Sequence, residues 1–231
     1  MVAIKGMQKT SLIDYPDKVS CVVFLGGCNF RCPYCQNPSL VEKHEDLPTL
    51  PEDGLFAFLE KRKNVLDGVV ITGGEPTIWK DLPAFISRIK KMGLLVKLDT
   101  NGSNPMMLET LLKQRLVDFV AMDIKAPLAK YGTATNSPVD TAAIRRSVKA
   151  IRSGGTDYEF RTTVTPKLHT EEDVVAIGKE LAGSKKYVLQ QFRAISTLDP
   201  AFRNEKPYPE ERLKSIAKKL ERFFDSVEVR T

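Results

Sequence analysis

Short apolar runs rich in β-branched and aromatic residues alternate along this chain with stretches of helical periodicity. The runs predict strands at residues 19–25, 68–72, 94–98, 119–124, 158–164 and 187–192. Helices are predicted near residues 52–63, 81–92, 105–115, 141–153, 170–182 and 209–224, before a short strand at 227–229. Strands that alternate with helices in this rhythm form βαβ units and a parallel sheet. The continuous apolar runs suit burial on both faces of the sheet, so we expect an α/β fold.

The chain has 231 residues, of which 42% are hydrophobic, and this is enough for one sizeable core. A single α/β barrel takes roughly 200–250 residues, so we expect one domain over residues 1–231. It would comprise an N-terminal segment (1–18), a partial barrel (19–192) and a C-terminal loop, helix and short strand (193–231). The longest loops are expected at residues 132–140 and 196–207.

The composition of the chain indicates where the protein is located and which classes of partner it can bind. No apolar run approaches the roughly 20 residues that span a bilayer, and the start of the sequence lacks a signal-peptide pattern. We therefore expect a cytoplasmic protein without membrane contact. The net charge of +6 is spread along the chain, which favours an ordinary charged surface over a docking face for an acidic electron donor. No arginine-rich arm or aromatic-basic face indicates nucleic-acid binding.

Polar residues recur where the predicted strands end. A cysteine-rich loop follows the first strand, Gly73-Gly74-Glu75-Pro76 follows the second and Asp99-Thr100-Asn101-Gly102 follows the third. The last three strands end at or carry Asp123, Lys125, Arg161, Gln190, Gln191 and Arg193. Ligands of parallel α/β sheets gather at the carboxyl ends of the strands. The sequence therefore predicts one site on that rim.

Three cysteines in the loop after the first strand, Cys28, Cys32 and Cys35, have the spacing C-x3-C-x2-C. Three thiolates from one loop can hold one metal centre, and the missing fourth ligand would leave a position open for chemistry. An iron–sulfur cluster is the favoured interpretation. Structural zinc completed by His44 and incidental thiols are the alternatives. Cys21, within an apolar run, is expected in the core.

The other rim residues each allow two interpretations. Tyr34 could lie against a planar ligand such as adenine or could pack the loop. Gly73 and Gly74 allow a ligand to approach the main chain, with Glu75 accepting a hydrogen bond from an ammonium group, or they form an ordinary turn. Asp99 and Asp123 could bind a cation or a sugar, or could act as caps. The basic residues could bind a carboxylate or form salt bridges; they are Lys125, Arg161 and Arg193.

The cysteine motif, with an aromatic residue before its last cysteine, together with Gly73-Gly74-Glu75-Pro76, resembles the radical S-adenosylmethionine superfamily over roughly residues 4–192. Leu98-Asp-Thr-Asn-Gly102 and Met122-Asp-Ile-Lys125 are similar to the glycyl-radical-enzyme activases, such as pyruvate formate-lyase activating enzyme. Gln8-Lys-Thr-Ser-Leu-Ile-Asp-Tyr-Pro16 and Cys35-Gln-Asn-Pro38 are most similar to the anaerobic ribonucleoside-triphosphate reductase activating proteins.

The resemblance implies a partial (β/α)6 TIM-like barrel whose three cysteines hold a [4Fe–4S] cluster. The methionine amino and carboxylate groups of S-adenosylmethionine would chelate the open iron. One electron would then give methionine and a 5′-deoxyadenosyl radical, which takes a hydrogen atom from a glycine of a partner enzyme. A flavodoxin- or ferredoxin-type protein would supply the electron.

The resemblance also implies roles for the rim residues. The amino group would be held by Gly73, Gly74 and Glu75, and the carboxylate would be approached by Lys125, Arg161 and Arg193. The adenine would be faced by Tyr34 and Gln36. The monovalent-cation and cofactor-side positions of the activases correspond to Asp99 and Asp123, and Thr100 is placed with them among the cofactor-binding residues.

The chain also departs from the activase pattern. It lacks the cysteine-rich insertion of some activases, Gln36 replaces a frequent histidine, Asp17 replaces a common glycine, and Arg193 stands roughly where pyruvate formate-lyase activating enzyme has a histidine. Two alternatives therefore stay open. One is a radical enzyme acting on a small molecule or nucleoside, in the manner of 7-carboxy-7-deazaguanine synthase. The other is a zinc-stabilised interaction module without enzymatic activity.

Overall fold

One eight-stranded sheet, with its strands in chain order, organises the whole molecule. The computed structural model describes residues 1–231. The strands are β1 (Ile4–Ser11), β2 (Ser20–Leu25), β3 (Gly68–Gly73), β4 (Leu95–Thr100), β5 (Phe119–Asp123), β6 (Asp157–Val164), β7 (Ser184–Gln191) and β8 (Phe224–Arg230). Strand β1 pairs antiparallel with β2, whereas every later pair is parallel.

Helices connect the parallel strands. They are α1 (Pro38–Glu42), α2 (Glu52–Arg62), α3 (Leu82–Lys91), α4 (Pro105–Lys113), α5 (Tyr131–Thr135), α6 (Thr141–Ser153), α7 (Glu171–Glu180) and α8 (Glu210–Leu220). None of them is both long and apolar enough to cross a bilayer. The six strands β2–β7 and their helices confirm the predicted α/β fold with a partial, TIM-like barrel.

Three elements were not predicted. Strand β1 lies in the N-terminal segment and carries Lys5 and Lys9, so it shows no continuous apolar run; it is an edge strand. The short helices α1 and α5 are each five residues long, too short for helical periodicity to appear in the sequence. The prediction of a loop over residues 132–140 is therefore wrong at its start, which lies inside α5.

The hydrophobic core lies between one face of the sheet and the helices, and the opposite face is largely polar. In β4, Val96 and Leu98 belong to the core, whereas Lys97 and Asp99 alternate with them on the other face. Cys21 is fully buried in the core, as predicted. On the opposite face, the buried ring of Tyr15, from the segment after β1, belongs to a small apolar cluster with Val22 and Val70 and lies 6.1 Å from the ring of Phe119.

Candidate active site

A cavity of about 350 Å³ lies on the polar side of the sheet, at the carboxyl ends of the strands. Its lining includes every predicted site residue except Arg193. These residues come from the loop after β2, from the carboxyl ends of β3, β4 and β5, from the residues just after β3 and β5, and from strand β6. The predicted residues that line it are Cys28, Cys32, Tyr34, Cys35, Gln36, Gly73, Gly74, Glu75, Asp99, Thr100, Asp123, Lys125 and Arg161. The fold thus brings together residues that are far apart in the sequence.

The cysteine loop is fixed by one backbone hydrogen bond within the loop and by others to two further parts of the chain. The Cys35 amide donates to the Cys32 carbonyl at 2.9 Å, within the loop. The Arg31 amide donates to the Thr135 carbonyl at the end of α5, also at 2.9 Å. The Cys35 carbonyl accepts from the Leu198 amide at 3.1 Å. The loop is therefore held from both sides rather than left free to adapt.

All three cysteine thiols of the loop are free and line the cavity. Burial raises the pKa of Cys28 to about 12 and that of Cys32 to about 11. Thiols in this state are poor nucleophiles at neutral pH, because the thiolate is the reactive form. A bound metal centre reverses this, since it deprotonates coordinating thiols outright. The donor set therefore fits an iron–sulfur cluster better than a catalytic nucleophile.

A site for a single metal ion is a different arrangement. No three or more His, Cys, Asp or Glu side chains in the molecule stand close enough together to hold one ion. The ring of His44, the ligand considered for structural zinc, lies near Gly26 and Gly27 and belongs to no such group. A four-iron cluster takes one thiolate per iron, so its cysteines stand farther apart than the ligands of one ion.

Gly73 and Gly74 pack directly against the backbone that leads into the cysteine loop. Gly73 has φ +114°, a region that favours glycine, and a Cβ atom on Gly74 would lie 1.9 Å from the Gly27 carbonyl oxygen. The Gly74 amide donates to the Leu25 carbonyl and the Glu75 amide to the Gly27 carbonyl, each at 2.8 Å. The space left by the missing side chains of Gly73 and Gly74 is therefore filled by the backbone of Leu25 and Gly27.

The Glu75 carboxylate links the loops that follow β3 and β4. It is 1% exposed and accepts hydrogen bonds from the Thr77 amide (3.1 Å), the Thr77 hydroxyl, the Thr100 hydroxyl (2.7 Å) and the Asn101 amide (2.6 Å). Burial raises its pKa, against the effect of these donors. Since Oε2 accepts only the Asn101 bond, it has capacity for one more donor from the cavity.

The charged wall of the cavity pairs the carboxylates of Asp99 and Asp123 with Lys125 and Arg161, which line the cavity, and with Lys97, which does not. Asp99 contacts Lys97 at 2.5 Å and Arg161 at 3.4 Å. Asp123 contacts Arg161 at 2.8 Å and Lys125 at 3.1 Å. Burial alone would raise the pKa of both carboxyl groups, but the positive charges, Arg161 first, outweigh it and hold both pKa values below the usual range. Lys125 and Arg161 are the two basic groups of the lining, and a ligand carboxylate is the kind of partner they bind.

Arg193 is the predicted site residue that the structure does not bring to the cavity. It follows the end of β7, and its exposed guanidinium donates to the Thr231 carbonyl at 2.7 Å. Its backbone carbonyl instead accepts from the Gln36 side-chain amide at 2.6 Å. The contribution of Arg193 is therefore to hold Gln36 through its main chain.

Further lining residues were not among the predicted site residues. Asn101, whose side-chain amide donates to the Asn29 Oδ1 at 3.0 Å, stands in the predicted polar segment 99–102, where no role was predicted for it. Asp14 reaches the cavity from the segment after β1, where no sequence pattern marks it. Thr163 and Gln190 lie within β6 and β7 and alternate with core residues.

Comparison with known proteins agrees with this geometry. The model of the Radical SAM superfamily matches residues 22–181. A protein of Methanocaldococcus jannaschii, provisionally named a glycyl-radical enzyme activating enzyme, is 36% identical over 238 residues, covering 99% of this chain and 95% of its own. The 7-carboxy-7-deazaguanine synthase of Methanopyrus kandleri is 33% identical over 124 residues, which is 46% of this chain and 48% of that protein.

Among solved structures, SuiB of Streptococcus suis bound to S-adenosylmethionine has a similar fold, with a TM-score of 0.69 at 14% identity. The similarity covers 88% of this chain and 48% of SuiB, so it supports the fold alone. The family match, by contrast, spans the cysteine loop and the strands that carry the charged wall. The chain belongs to the Radical SAM superfamily.

Proposed function

We propose that this protein is a glycyl-radical-enzyme activase that acts on an anaerobic ribonucleoside-triphosphate reductase. The superfamily implies S-adenosylmethionine and a [4Fe–4S] cluster as cofactors. One observation carries the proposal: a single cavity joins three thiols, a glycine–glutamate loop and the basic side chains of Lys125 and Arg161. The similarity over 99% of the chain to a provisionally named activating enzyme supports the activase class.

The thiol side would hold the cluster through Cys28, Cys32 and Cys35. When bound and reduced, the cluster supplies the electron that cleaves S-adenosylmethionine to methionine and a 5′-deoxyadenosyl radical, which takes hydrogen from a glycine of the partner. The protein's own part is to fix the loop geometry and to limit water, and the backbone bonds from Leu198 and Thr135 to the loop serve the first task.

The charged wall would bind the other end of the cofactor. The ammonium group of Lys125 and the guanidinium of Arg161 would pair with the methionine carboxylate, and the free capacity of Glu75 Oε2 suits the methionine ammonium group. Tyr34 and Gln36 line the cavity beside the cysteines, where an adenine would lie. Thr100 would act on this side through its hydrogen bond to Glu75.

A monovalent cation at Asp99 and Asp123 is the weakest part of the resemblance for this chain. Both carboxylates already pair with basic side chains, and the Lys97 ammonium group, in a residue that is 2% exposed, contacts Asp99 at 2.5 Å. A bound cation would have to compete with these ammonium and guanidinium groups. Cofactor affinity measured in sodium, potassium and choline salts at equal ionic strength tests the site, which requires a preference among them.

The proposal includes a flavodoxin- or ferredoxin-type electron donor and a cytoplasmic location. Its test is electron paramagnetic resonance of an anaerobic ribonucleoside-triphosphate reductase that is mixed anaerobically with the reconstituted protein, reductant and S-adenosylmethionine. A glycyl doublet that depends on all components is expected. If the reductase stays silent while 5′-deoxyadenosine forms, the activase assignment is wrong and the family assignment stands.

A radical enzyme of the 7-carboxy-7-deazaguanine synthase type is the second candidate. It rests on the 33% identity to the Methanopyrus kandleri synthase, which covers less than half of either chain. Incubation with the small-molecule substrate of such synthases, followed by mass spectrometry of the product, distinguishes the two. The activase proposal expects abortive 5′-deoxyadenosine and no conversion of the small molecule.

A further inference from the structure

The segment that ends β5 is held by three side-chain donors, one for each consecutive carbonyl. The Tyr131 hydroxyl donates to the Asp123 carbonyl at 3.4 Å, and the Thr162 hydroxyl donates to the Ile124 carbonyl at 2.8 Å. The His169 Nε2 contacts the Lys125 carbonyl at 2.7 Å. The Ile124 amide still donates to the Arg161 carbonyl of β6 at 2.7 Å, and the three side-chain donors bind the carbonyls of the same segment, so that its path is defined on both sides.

Two of the three donors also contact the cysteine loop. The ring of His169 meets the ring of Tyr34 edge-on, with centroids 6.1 Å apart. The ring of Tyr131 meets Phe30 in the same way at 6.4 Å. Each of these side chains therefore joins the thiol side of the cavity to the charged side, and His169 makes the shorter polar contact.

The imidazole of His169 is fully buried and is fixed in one form. Its Nδ1 accepts from the Thr165 amide at 3.2 Å, so the proton must lie on Nε2, which donates to the Lys125 carbonyl. Burial lowers its pKa, which keeps the ring neutral. The Tyr208 hydroxyl holds the His169 carbonyl at 3.0 Å. A buried ring with both nitrogens bonded has little freedom to turn.

We propose that His169 is a positioning residue that aligns Lys125 for the cofactor. It would act through the Lys125 main chain at the carboxylate end, and its edge-on contact with Tyr34 keeps the imidazole in place. The inference rests on the proposed binding of S-adenosylmethionine in this cavity. Nothing in the sequence pattern marked His169, which lies in the connection between β6 and α7.

Two substitutions separate the two nitrogens of the ring. In His169→Gln the side-chain amide can reach the position of Nε2 and donate to the Lys125 carbonyl. In His169→Asn the amide oxygen matches Nδ1 and the bond to Lys125 is lost. We expect both variants to keep the iron content of the wild type. We expect His169→Gln to bind S-adenosylmethionine within about threefold of the wild type, and His169→Asn roughly tenfold more weakly.

A double-mutant cycle with Lys125→Ala tests whether His169 acts through Lys125, because a merely structural role would not make the two losses interact. Dissociation constants are measured on cluster-loaded protein by the change that S-adenosylmethionine produces in the cluster's paramagnetic resonance spectrum. In the Lys125→Ala background, His169→Asn should cause less than about a twofold further loss. Independent, multiplying losses, or equal losses in the Asn and Gln variants, would overturn the proposal.

A milder variant covers the case in which His169→Asn does not fold. Tyr208→Phe removes only the hydroxyl that holds the His169 carbonyl, and its smaller loss of affinity should likewise vanish with Lys125→Ala. A loss that persists there contradicts the role of His169. If the wild-type protein itself assembles a cluster but does not bind S-adenosylmethionine, the proposed function fails instead, and the two failures are distinct.

Discussion

The two sides of the cavity are built from different kinds of contact. On the side of β2 and β3, backbone packs against backbone, and Gly74 leaves no space for even a methyl group beside Gly27. On the side of β4 to β6, long charged side chains meet in a network around Arg161. A substitution that overfills a tightly packed contact causes a large loss of stability, whereas a substitution in a network of charge pairs causes a loss that depends on how much of the pairing remains. The two sides should therefore respond differently to substitution.

The largest effect is expected from the thiol side. Cys32→Ala should abolish cluster assembly and all cleavage of S-adenosylmethionine, because the remaining two thiols cannot hold the cluster. Iron analysis and chromatography of 5′-deoxyadenosine measure both. Cys21→Ala is the matched control, since Cys21 lies in the core away from the cavity and should keep full iron content. Activity in a variant in which all three loop cysteines are replaced would contradict the role of the loop.

The steric claim is tested by Gly74→Ala. The added Cβ would lie 1.9 Å from the Gly27 carbonyl, so the loop must shift, and we expect a loss of about 3 kcal/mol in the free energy of unfolding together with reduced iron content. Urea unfolding of the apoprotein gives the first quantity.

The control is Gly54→Ala in helix α2, where a Cβ atom meets nothing within 4 Å. Alanine there should stabilise the protein by roughly 0.5–1 kcal/mol. Equal changes in the free energy of unfolding for the two variants would show that the contact between Gly74 and Gly27 is not sterically limiting.

A graded response is expected at Arg161, which bridges Asp99 and Asp123. Arg161→Lys keeps the positive charge but cannot contact both carboxylates. Arg161→Met removes the charge as well, so it should weaken cofactor binding more than Arg161→Lys. We expect a loss of roughly 2–4 kcal/mol in folding free energy for the methionine variant and about half for the lysine variant. Equal losses would show that the network depends on shape and not on charge.

The smallest effect concerns pH. Because the pKa values of Asp99 and Asp123 are lowered in the folded state, their contribution is present above the ordinary carboxyl pKa of about 3.9 and is lost as the pH falls below it. Asp123→Asn should therefore flatten the decline in unfolding free energy below about pH 4, by up to about 1.4 kcal/mol per pH unit. An unchanged slope, measured by urea unfolding at several pH values, would remove Asp123 from the network.

The sequence predicted the fold and the cavity well where the signal was local. Apolar runs marked β2 to β7, and cysteine spacing marked the loop, because burial and ligand geometry act on neighbouring residues. Other features depended on contacts that no local pattern encodes. The edge strand β1 lacks an apolar run, and the side chain of Arg193 turns away from the cavity after β7.

Partners across the fold were also beyond sequence reasoning. The motif suggested Glu75 as an acceptor for an ammonium group, yet its first partners are Thr77, Thr100 and Asn101. The importance of His169 follows only from its place between Lys125 and Tyr34. Lys125 lies 44 residues away in the sequence, and Tyr34 lies in the cysteine loop. Such placements are set by the packing of the whole sheet.

The most direct test of the central claim is the iron content and product of the anaerobically reconstituted wild-type protein. Both sides of the cavity must work together for S-adenosylmethionine to be cleaved. The account predicts a brown protein with about four irons per chain that forms 5′-deoxyadenosine and methionine when reduced. A colourless protein that retains zinc and forms neither product would contradict it.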